Sequence, residues 1–142
     1  MTVFEKHEKP GGLLRFGIPN FKLGKNVIDR RIHLLEEEGI IFRTGICVGK
    51  DISARELIDQ FDAVCLAIGA EVPRDLPVEG RSLQGVHFAL DLLANQNRLL
   101  EGIPVPEEAR ISCQGKRVLV IGGGDTGSDC VGTANRHHAA QV

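Results

Sequence analysis

Three glycines near the end of the chain have the spacing G-x-G-x-x-G, as Gly122, Gly124 and Gly127 in GGGDTG. In such a motif the first glycine permits a tight turn, the second lets the backbone approach a pyrophosphate, and the third lets a helix pack close to a strand. Free N–H groups of the helix then bind the phosphates, and Asp125 and Thr126 are candidate caps of that helix. A glycine-rich turn that binds nothing is the alternative, but the apolar strand before the motif and the helix after it favour a dinucleotide site.

A second, partial signal lies at the start of the chain. TVFE reads as a strand that ends in the acid Glu5, as the second strand of a dinucleotide unit does when its carboxylate binds a ribose hydroxyl. A solvated charge at a strand end is the alternative. The matching acid of the GGGDTG unit is expected about 20 residues after its first glycine, which reaches Val142, so the sequence does not distinguish NAD from NADP. We therefore expect a piece of a longer chain, with each end inside a dinucleotide unit.

Composition argues against several other kinds of site. The chain has 142 residues, 42% hydrophobic and 25% charged, with a net charge of −2, which suggests neither a nucleic-acid nor a membrane partner. The four cysteines form no C-x-x-C pair, which argues against a redox dithiol, a zinc site or an iron–sulfur cluster within this chain. Reduced, buried or half-buried thiols of a cytoplasmic protein are expected instead. We assign no metal site and no catalytic acid or base, and we expect the histidines at the surface or at helix ends.

The elements that must position these residues alternate between strand and helix. Apolar periodicity and capping signals predict helices over KNVIDRRIHLLEEE with Gly39 behind it and over HFALDLLANQNRLLE. The capping box Ser53–Glu56 opens a further short helix through Gln60, and another is predicted from about Asp125 to Arg136. The run DAVCLAIGA predicts a central parallel strand, and RVLVI and IIFRTGICVG predict others. KHEKPGGLLRFGIPNFKLG is predicted to be an ordered loop. This rhythm indicates an α/β fold with a Rossmann-like parallel sheet.

Five segments, in this order, resemble one known family: TVFEKHEKPGGLLRFGIPNFKL, GKDIS, AVCLAIGA, GVHFALDLL and VLVIGGGDTGSDCVGTA. They are similar to the NADPH-dependent glutamate synthase small (β) subunits and, more broadly, to the FAD-dependent pyridine nucleotide oxidoreductases. The resemblance implies a fold with separate FAD and NAD(P)H domains. It also implies that NADPH reduces FAD and that electrons leave through iron–sulfur clusters to a large subunit, where glutamine and 2-oxoglutarate become glutamate.

The resemblance also assigns roles to individual positions. It implies that Glu5 binds the FAD ribose, that Val48 contacts the adenine region through its backbone, and that Lys22 is a basic FAD contact. The other implied FAD contacts are Lys6, Gly11, Gly12, Leu13, Ala67, Ile68 and Gly69. The implied contacts with the NADPH pyrophosphate are Gly122, Gly124, Asp125, Thr126 and Gly127.

The same resemblance implies a division of the chain. Residues 1–75 are expected to be an FAD domain that lacks its first strand and glycine loop, 76–115 a connector with a helix, and 116–142 the start of an NAD(P)H domain. The iron–sulfur clusters are expected outside this chain, and the chain alone is expected to be inactive. Alternatives are a non-catalytic dinucleotide-binding piece and another FAD/NAD(P)H reductase of the family. A further hypothesis is a hybrid dinucleotide unit in which Gly122, Gly124 and Gly127 face Glu5, assembled either within one chain or in a homodimer whose two copies exchange ends.

Overall fold

The computed structural model describes residues 1–142 and has an α/β architecture with a parallel sheet. No helix in it is both long enough and apolar enough to cross a membrane. The elements in chain order are β1 (Thr2–Glu5), α1 (Gly12–Phe16), α2 (Lys25–Glu37), β2 (Ile41–Thr44), α3 (Ala54–Gln60), α4 (Ala89–Leu100), a short 3-10 turn (Glu107–Ala109) and α5 (Asp125–Arg136).

The chain divides into two compact units. The first contains residues 1–12 and 26–74, and the second contains residues 13–25 and 75–142. This division concerns packing alone. The functional domains at 1–75, 76–115 and 116–142 therefore stay a prediction.

The sheet of the first unit is a parallel pair, β1 and β2, in the register Thr2 with Ile41 through Glu5 with Thr44. The predicted strand at the start of the chain is thus confirmed, and β2 is shorter than the predicted IIFRTGICVG. A parallel pair needs a crossover, and the chain between β1 and β2 contains α1 and α2. The Phe4 ring packs edge-on against Phe61, with 6.0 Å between ring centroids.

The helix signals of the first unit are largely confirmed. α2 ends at Glu37, and Gly39 takes a φ of +88° while the N–H of Ile40 bonds to the carbonyl of Leu35, as in a glycine-terminated helix. Ser53 Oγ accepts from the N–H of Glu56, whose carboxylate accepts from the N–H of Ser53, so the capping box forms as predicted.

The predicted central strand DAVCLAIGA does not form. Every residue of 62–70 is exposed, and the only sheet in the structure is the pair β1–β2. Leu66 and Ile68 are 77% and 79% exposed. An apolar run signals what a strand would bury, but a strand also needs a hydrogen-bonded neighbour, and none lies beside this segment. Cys65, in the same segment, is exposed rather than buried or half-buried as predicted.

The core of the second unit lies between α4 and α5. Its buried members are Leu92, Leu93, Cys113, Cys130 and Ala134. The predicted strand RVLVI is realised only in part: Arg117 forms a single bridge with Gln141. Val118 and Val120 pack against the core, whereas Leu119 and Ile121 are 84% and 75% exposed. The period of two is therefore present, with one face covered and the other open.

The segment KHEKPGGLLRFGIPNFKLG is not wholly a loop, since it contains α1. Arg15, at the end of α1, is 1% exposed, and its guanidinium lies 2.7 Å from the Glu101 carboxylate. The side-chain amide of Asn97, also 1% exposed, donates to the carbonyls of Phe16 and Ile18. These contacts anchor the segment to α4 and to the residue that follows it.

Candidate functional site

The glycine loop forms a turn that only glycines can make. Gly122 has a φ of +121°, in the region that side-chain-bearing residues rarely adopt. A Cβ atom on Gly127 would lie 2.2 Å from the carbonyl oxygen of Gly122, so the start of α5 approaches the first glycine of the loop without room for a methyl group. The spacing predicts a tight turn at the first glycine and a close approach at the third, and both are present although no regular strand precedes the loop.

The second glycine stands at the start of α5 with open space around it. Gly124 is the N-cap residue, and a Cβ atom placed on it would meet nothing within 4 Å. No side chain caps the helix, so the prediction that Asp125 or Thr126 caps it is wrong. The first helical bond beyond the loop is that from the N–H of Ser128 to the carbonyl of Gly124. The N–H groups of the first turn therefore lie before the first helical hydrogen bond, at the helix end where the dipole favours an anion.

Two of the predicted FAD residues of the first unit, Glu5 and Lys6, lie at the end of β1. Glu5 uses one carboxylate oxygen, Oε1, to accept from the N–H of His7 at 2.9 Å. The ammonium of Lys6 forms an ion pair with Glu71. That contact raises the pKa of Lys6 and lowers the pKa of Glu71. Since Glu71 closely follows Gly69, the pair brings the Ala67–Gly69 segment beside the end of β1.

Val48 and three glycines of this unit are predicted to contact FAD through the backbone. Val48 is 43% exposed and bridges to Ile52 in a turn. Gly69 has a φ of +69°, and Gly11 and Gly12 have φ values of +125° and +49°. These three glycines therefore occupy conformations that a larger residue would strain.

Leu13 and Lys22 belong to the second unit. Leu13 is 60% exposed at the start of α1. The ammonium of Lys22 lies 2.5 Å from Asp129 Oδ1, on the helix that the glycine loop begins. No regular hydrogen bond reaches Asp129 Oδ1, so the contact is described as an ion pair. The structure thus pairs Lys22 with α5. The flavin contact that the family resemblance implies for Lys22 stays a prediction.

Two acidic partners, Glu71 and Asp129, were not identified from the sequence. Asp129 stands one helical turn after Asp125, on a side of α5 that also carries the buried residues Cys130 and Thr133. A polar residue on the inward side of a predicted helix was a usable signal. For the pairing of Lys6 with Glu71 the sequence holds no such signal, because it depends on the path of an irregular segment.

Comparison with known proteins agrees with this geometry. The sequence pattern of the pyridine nucleotide-disulphide oxidoreductases matches residues 29–142, which is most of the chain. The chain belongs to this family. It is also similar in structure to a mutant of FprA from Mycobacterium tuberculosis, with a TM-score of 0.72 and 28% identity over 92% of this chain and 28% of that one.

Curated relatives match over the whole chain. The small chain of glutamate synthase [NADPH] from Mycobacterium tuberculosis is 50% identical over 145 aligned residues, and that from Bacillus subtilis is 50% identical over 142. Glutamate synthase [NADH] from Schizosaccharomyces pombe is 48% identical. The chain spans 30%, 29% and 7% of the length of these three proteins. Relatives named for NADPH and for NADH are thus almost equally similar to it.

Proposed function

We propose that the chain is part of a glutamate synthase small chain, an oxidoreductase that passes electrons from NADPH through FAD to iron–sulfur clusters. In this proposal a large subunit uses the electrons to make glutamate from glutamine and 2-oxoglutarate, in the cytoplasm. The observation that carries the proposal is the closed glycine turn, in which Gly127 leaves no room for a Cβ and Gly124 begins an uncapped helix. The glutamate synthase relatives support the choice of reaction.

We assign the residues that hold the nicotinamide dinucleotide from the glycine motif and the family resemblance, and the turn geometry supports this assignment. The pyrophosphate binds at the backbone of Gly122 and Gly124 and at the first-turn N–H groups of Asp125, Thr126 and Gly127. In the first unit, Glu5 Oε2 accepts from the FAD ribose, and Lys6, Gly11, Gly12 and the other assigned positions follow the flavin nucleotide. When bound, NADPH supplies electrons as a hydride and FAD accepts them. The protein contributes by positioning the two dinucleotides and by the electrostatic effect of its backbone dipoles.

Catalysis by the 142 residues alone is not part of the proposal. Ala67, Ile68 and Gly69 are exposed and pair with no strand, so these flavin positions are open to solvent. An open flavin site of this kind argues against turnover by the chain alone. Purified chain that shows a flavin absorption band after FAD is added, but no NADPH oxidation with an artificial acceptor, fits this view.

The decisive experiment for the glycine loop is a pair of alanine substitutions with NADPH fluorescence titration. Gly124→Ala has space for its methyl group in the structure, so we expect normal stability but an affinity at least about tenfold lower, because the methyl group occupies the place of the phosphate. Gly127→Ala forces its methyl group onto a carbonyl oxygen, so we expect it to lower stability by about 2 kcal/mol as well. Ser128→Ala, one residue beyond the first turn, is the matched control and should change neither.

Other results would contradict the site. Equal NADPH affinity in the wild type and Gly124→Ala would show that the loop does not hold the pyrophosphate. The same titration with NADH tests the cofactor. A tighter complex with NADH than with NADPH would overturn the choice of NADPH while leaving the loop assignment in place.

Exchange of ends between two copies also stays a proposal. Within one chain β1 pairs only with β2, and Leu119 and Ile121 offer an open apolar edge beside the glycine loop. Light scattering on the purified chain decides it. A monomer mass at all concentrations would rule out the exchanged dimer.

A further inference from the structure

Two adjacent residues, Phe21 and Lys22, dock on one face of α5. Lys22 Nζ contacts Asp129, and the Phe21 ring lies where a Cβ on Gly132 would be, with Cζ only 2.6 Å from that position. The guanidinium of Arg136 lies 3.7 Å from the centroid of the same ring. Positions 129, 132 and 136 have the spacing of one helix face. The contact therefore extends along two turns of the helix that begins at the glycine loop.

In the ion pair at the N-terminal end of this face, the carboxylate of Asp129 depends on the ammonium of Lys22. Asp129 is 7% exposed and its Oδ1 accepts no regular hydrogen bond, so the ammonium of Lys22 is what compensates that oxygen. A buried carboxylate that loses its cation is left with an unpaired charge, which is strongly unfavourable. The contact with Asp129 raises the pKa of Lys22, and the charge of Asp125 in the first turn adds to the effect. Lys22 thus lies within electrostatic range of the turn that faces the predicted phosphates.

The segment that presents these two residues is itself fixed. The ammonium of Lys25, which is 5% exposed, donates to the carbonyls of Leu14, Ile18 and Leu23, at 3.1, 2.5 and 3.4 Å. Asn97 of α4 donates to the carbonyl of Ile18 at 3.1 Å. Because side-chain donors bind its carbonyl groups, segment 13–25 is a fixed support against which α5 can be held, which a flexible loop would not be.

We propose that Lys22 and Asp129 are positioning residues of the nicotinamide dinucleotide site, which hold the first turns of α5, and with them the phosphate-facing N–H groups of the glycine loop, against segment 13–25. The inference rests on the proposed function for its ligand. Asp129 stands four residues after Asp125, about 6 Å along the helix axis, so a shift of the pair moves the first turn directly. Binding sites require supporting contacts of this kind, since small displacements of their donors weaken binding. The role differs from the flavin contact that the family resemblance implies for Lys22.

The test uses the 142-residue chain and four variants: Lys22→Met, Asp129→Asn, the double variant and Lys22→Arg. Affinity for NADPH is titrated well below the unfolding temperature. We expect Lys22→Met and Asp129→Asn each to weaken NADPH binding about tenfold. The double variant should bind no more weakly than the single variant with the lower affinity, and Lys22→Arg should bind within about threefold of wild type. Lys50→Met, at an exposed lysine of the first unit, is the control and should bind normally.

Hydrogen exchange of residues 122–132 provides a second readout that needs no ligand. We expect faster exchange in Lys22→Met and Asp129→Asn than in the wild type and in Lys50→Met. Additive losses, no rescue by arginine, or an Asp129→Asn variant that binds and exchanges like wild type would overturn the positioning role. A wild-type chain that binds no NADPH would overturn the proposed function, while the exchange data would still decide whether the pair anchors the loop.

Discussion

At the scale of single residues, His137 shows how packing decides the state of a side chain. Its Nδ1 accepts from the N–H of Cys113 at 3.4 Å and its Nε2 lies 2.7 Å from Gln96 Oε1, an arrangement that requires a neutral ring with the proton on Nε2. Burial lowers the pKa of His137 below its ordinary value of 6.5. The helix dipole favours a cation at the C-terminal end of a helix, but for His137 the cost of burying the charge is larger.

This assignment predicts a pH dependence. Because the pKa of His137 is lower in the folded state, the unfolded chain binds the proton more readily, and the stabilisation is fully present above the ordinary pKa and lost as pH falls below it. We expect the urea midpoint of the wild type to fall between about pH 8 and about pH 5.5 by more than that of His137→Gln. His87→Gln, at an exposed histidine, is the control. Identical pH profiles for the wild type and His137→Gln would contradict the burial effect.

At the scale of elements, α4 organises the segment that follows β1 through one amide. Both donor bonds of Asn97 go to backbone carbonyls, Phe16 at 2.9 Å and Ile18 at 3.1 Å, and the residue is 1% exposed. A turn-rich segment has carbonyls that no ladder satisfies, so a side chain from a neighbouring helix must supply the donors.

Removing those donors should loosen the segment. We expect Asn97→Ala to lower the free energy of unfolding by about 2 kcal/mol, because the carbonyl of Phe16 loses its buried donor and the carbonyl of Ile18 keeps only the ammonium of Lys25. Asn97→Asp, with the same shape but acceptors in place of donors, should cost at least as much. Asn135→Ala, at an exposed position of α5, should stay within about 0.5 kcal/mol of wild type. Chemical denaturation measures all three, and an Asn97→Asp variant as stable as wild type would contradict the role of the amide.

At the scale of the whole molecule, the chain leaves apolar strand-like segments open. Leu66, Ile68, Leu119 and Ile121 are each at least 75% exposed. Backbone groups without strand partners beside apolar side chains form a template for pairing with another chain. We therefore expect these exposed segments to affect self-association of the chain more than its folding stability.

The segment at 117–121 offers a matched test of that distinction. Replacing Val118 and Val120 by threonine places hydroxyls against the core, and we expect a loss of about 1 kcal/mol for each substitution. Replacing Leu119 and Ile121 by threonine on the opposite face should leave stability within about 0.5 kcal/mol and reduce self-association. Denaturation and light scattering on both double variants check this. A large loss of stability in the Leu119 and Ile121 variant would mean that this face is covered.

Local signals were sufficient for much of this molecule. The start of α3 follows from Ser53 and Glu56, the end of α2 from Gly39, and the start of α5 from its glycine motif, because capping and helix termination involve neighbours in the chain. The glycine loop could be predicted in type and in geometry for the same reason. The assigned flavin positions, in contrast, stay predictions that come from family resemblance.

Tertiary structure alone decided what lies far apart in sequence. Whether DAVCLAIGA forms a strand depends on a neighbour with which to pair, and its composition carries no information about that neighbour. Lys22 and Asp129 are each ordinary charged residues in the sequence, and only packing of segment 13–25 on α5 makes them a pair. The sequence by itself therefore determined the local turn that can receive a pyrophosphate. The fold determined which distant side chains hold that turn in place, because a buried charge takes whichever partner the packing brings to it.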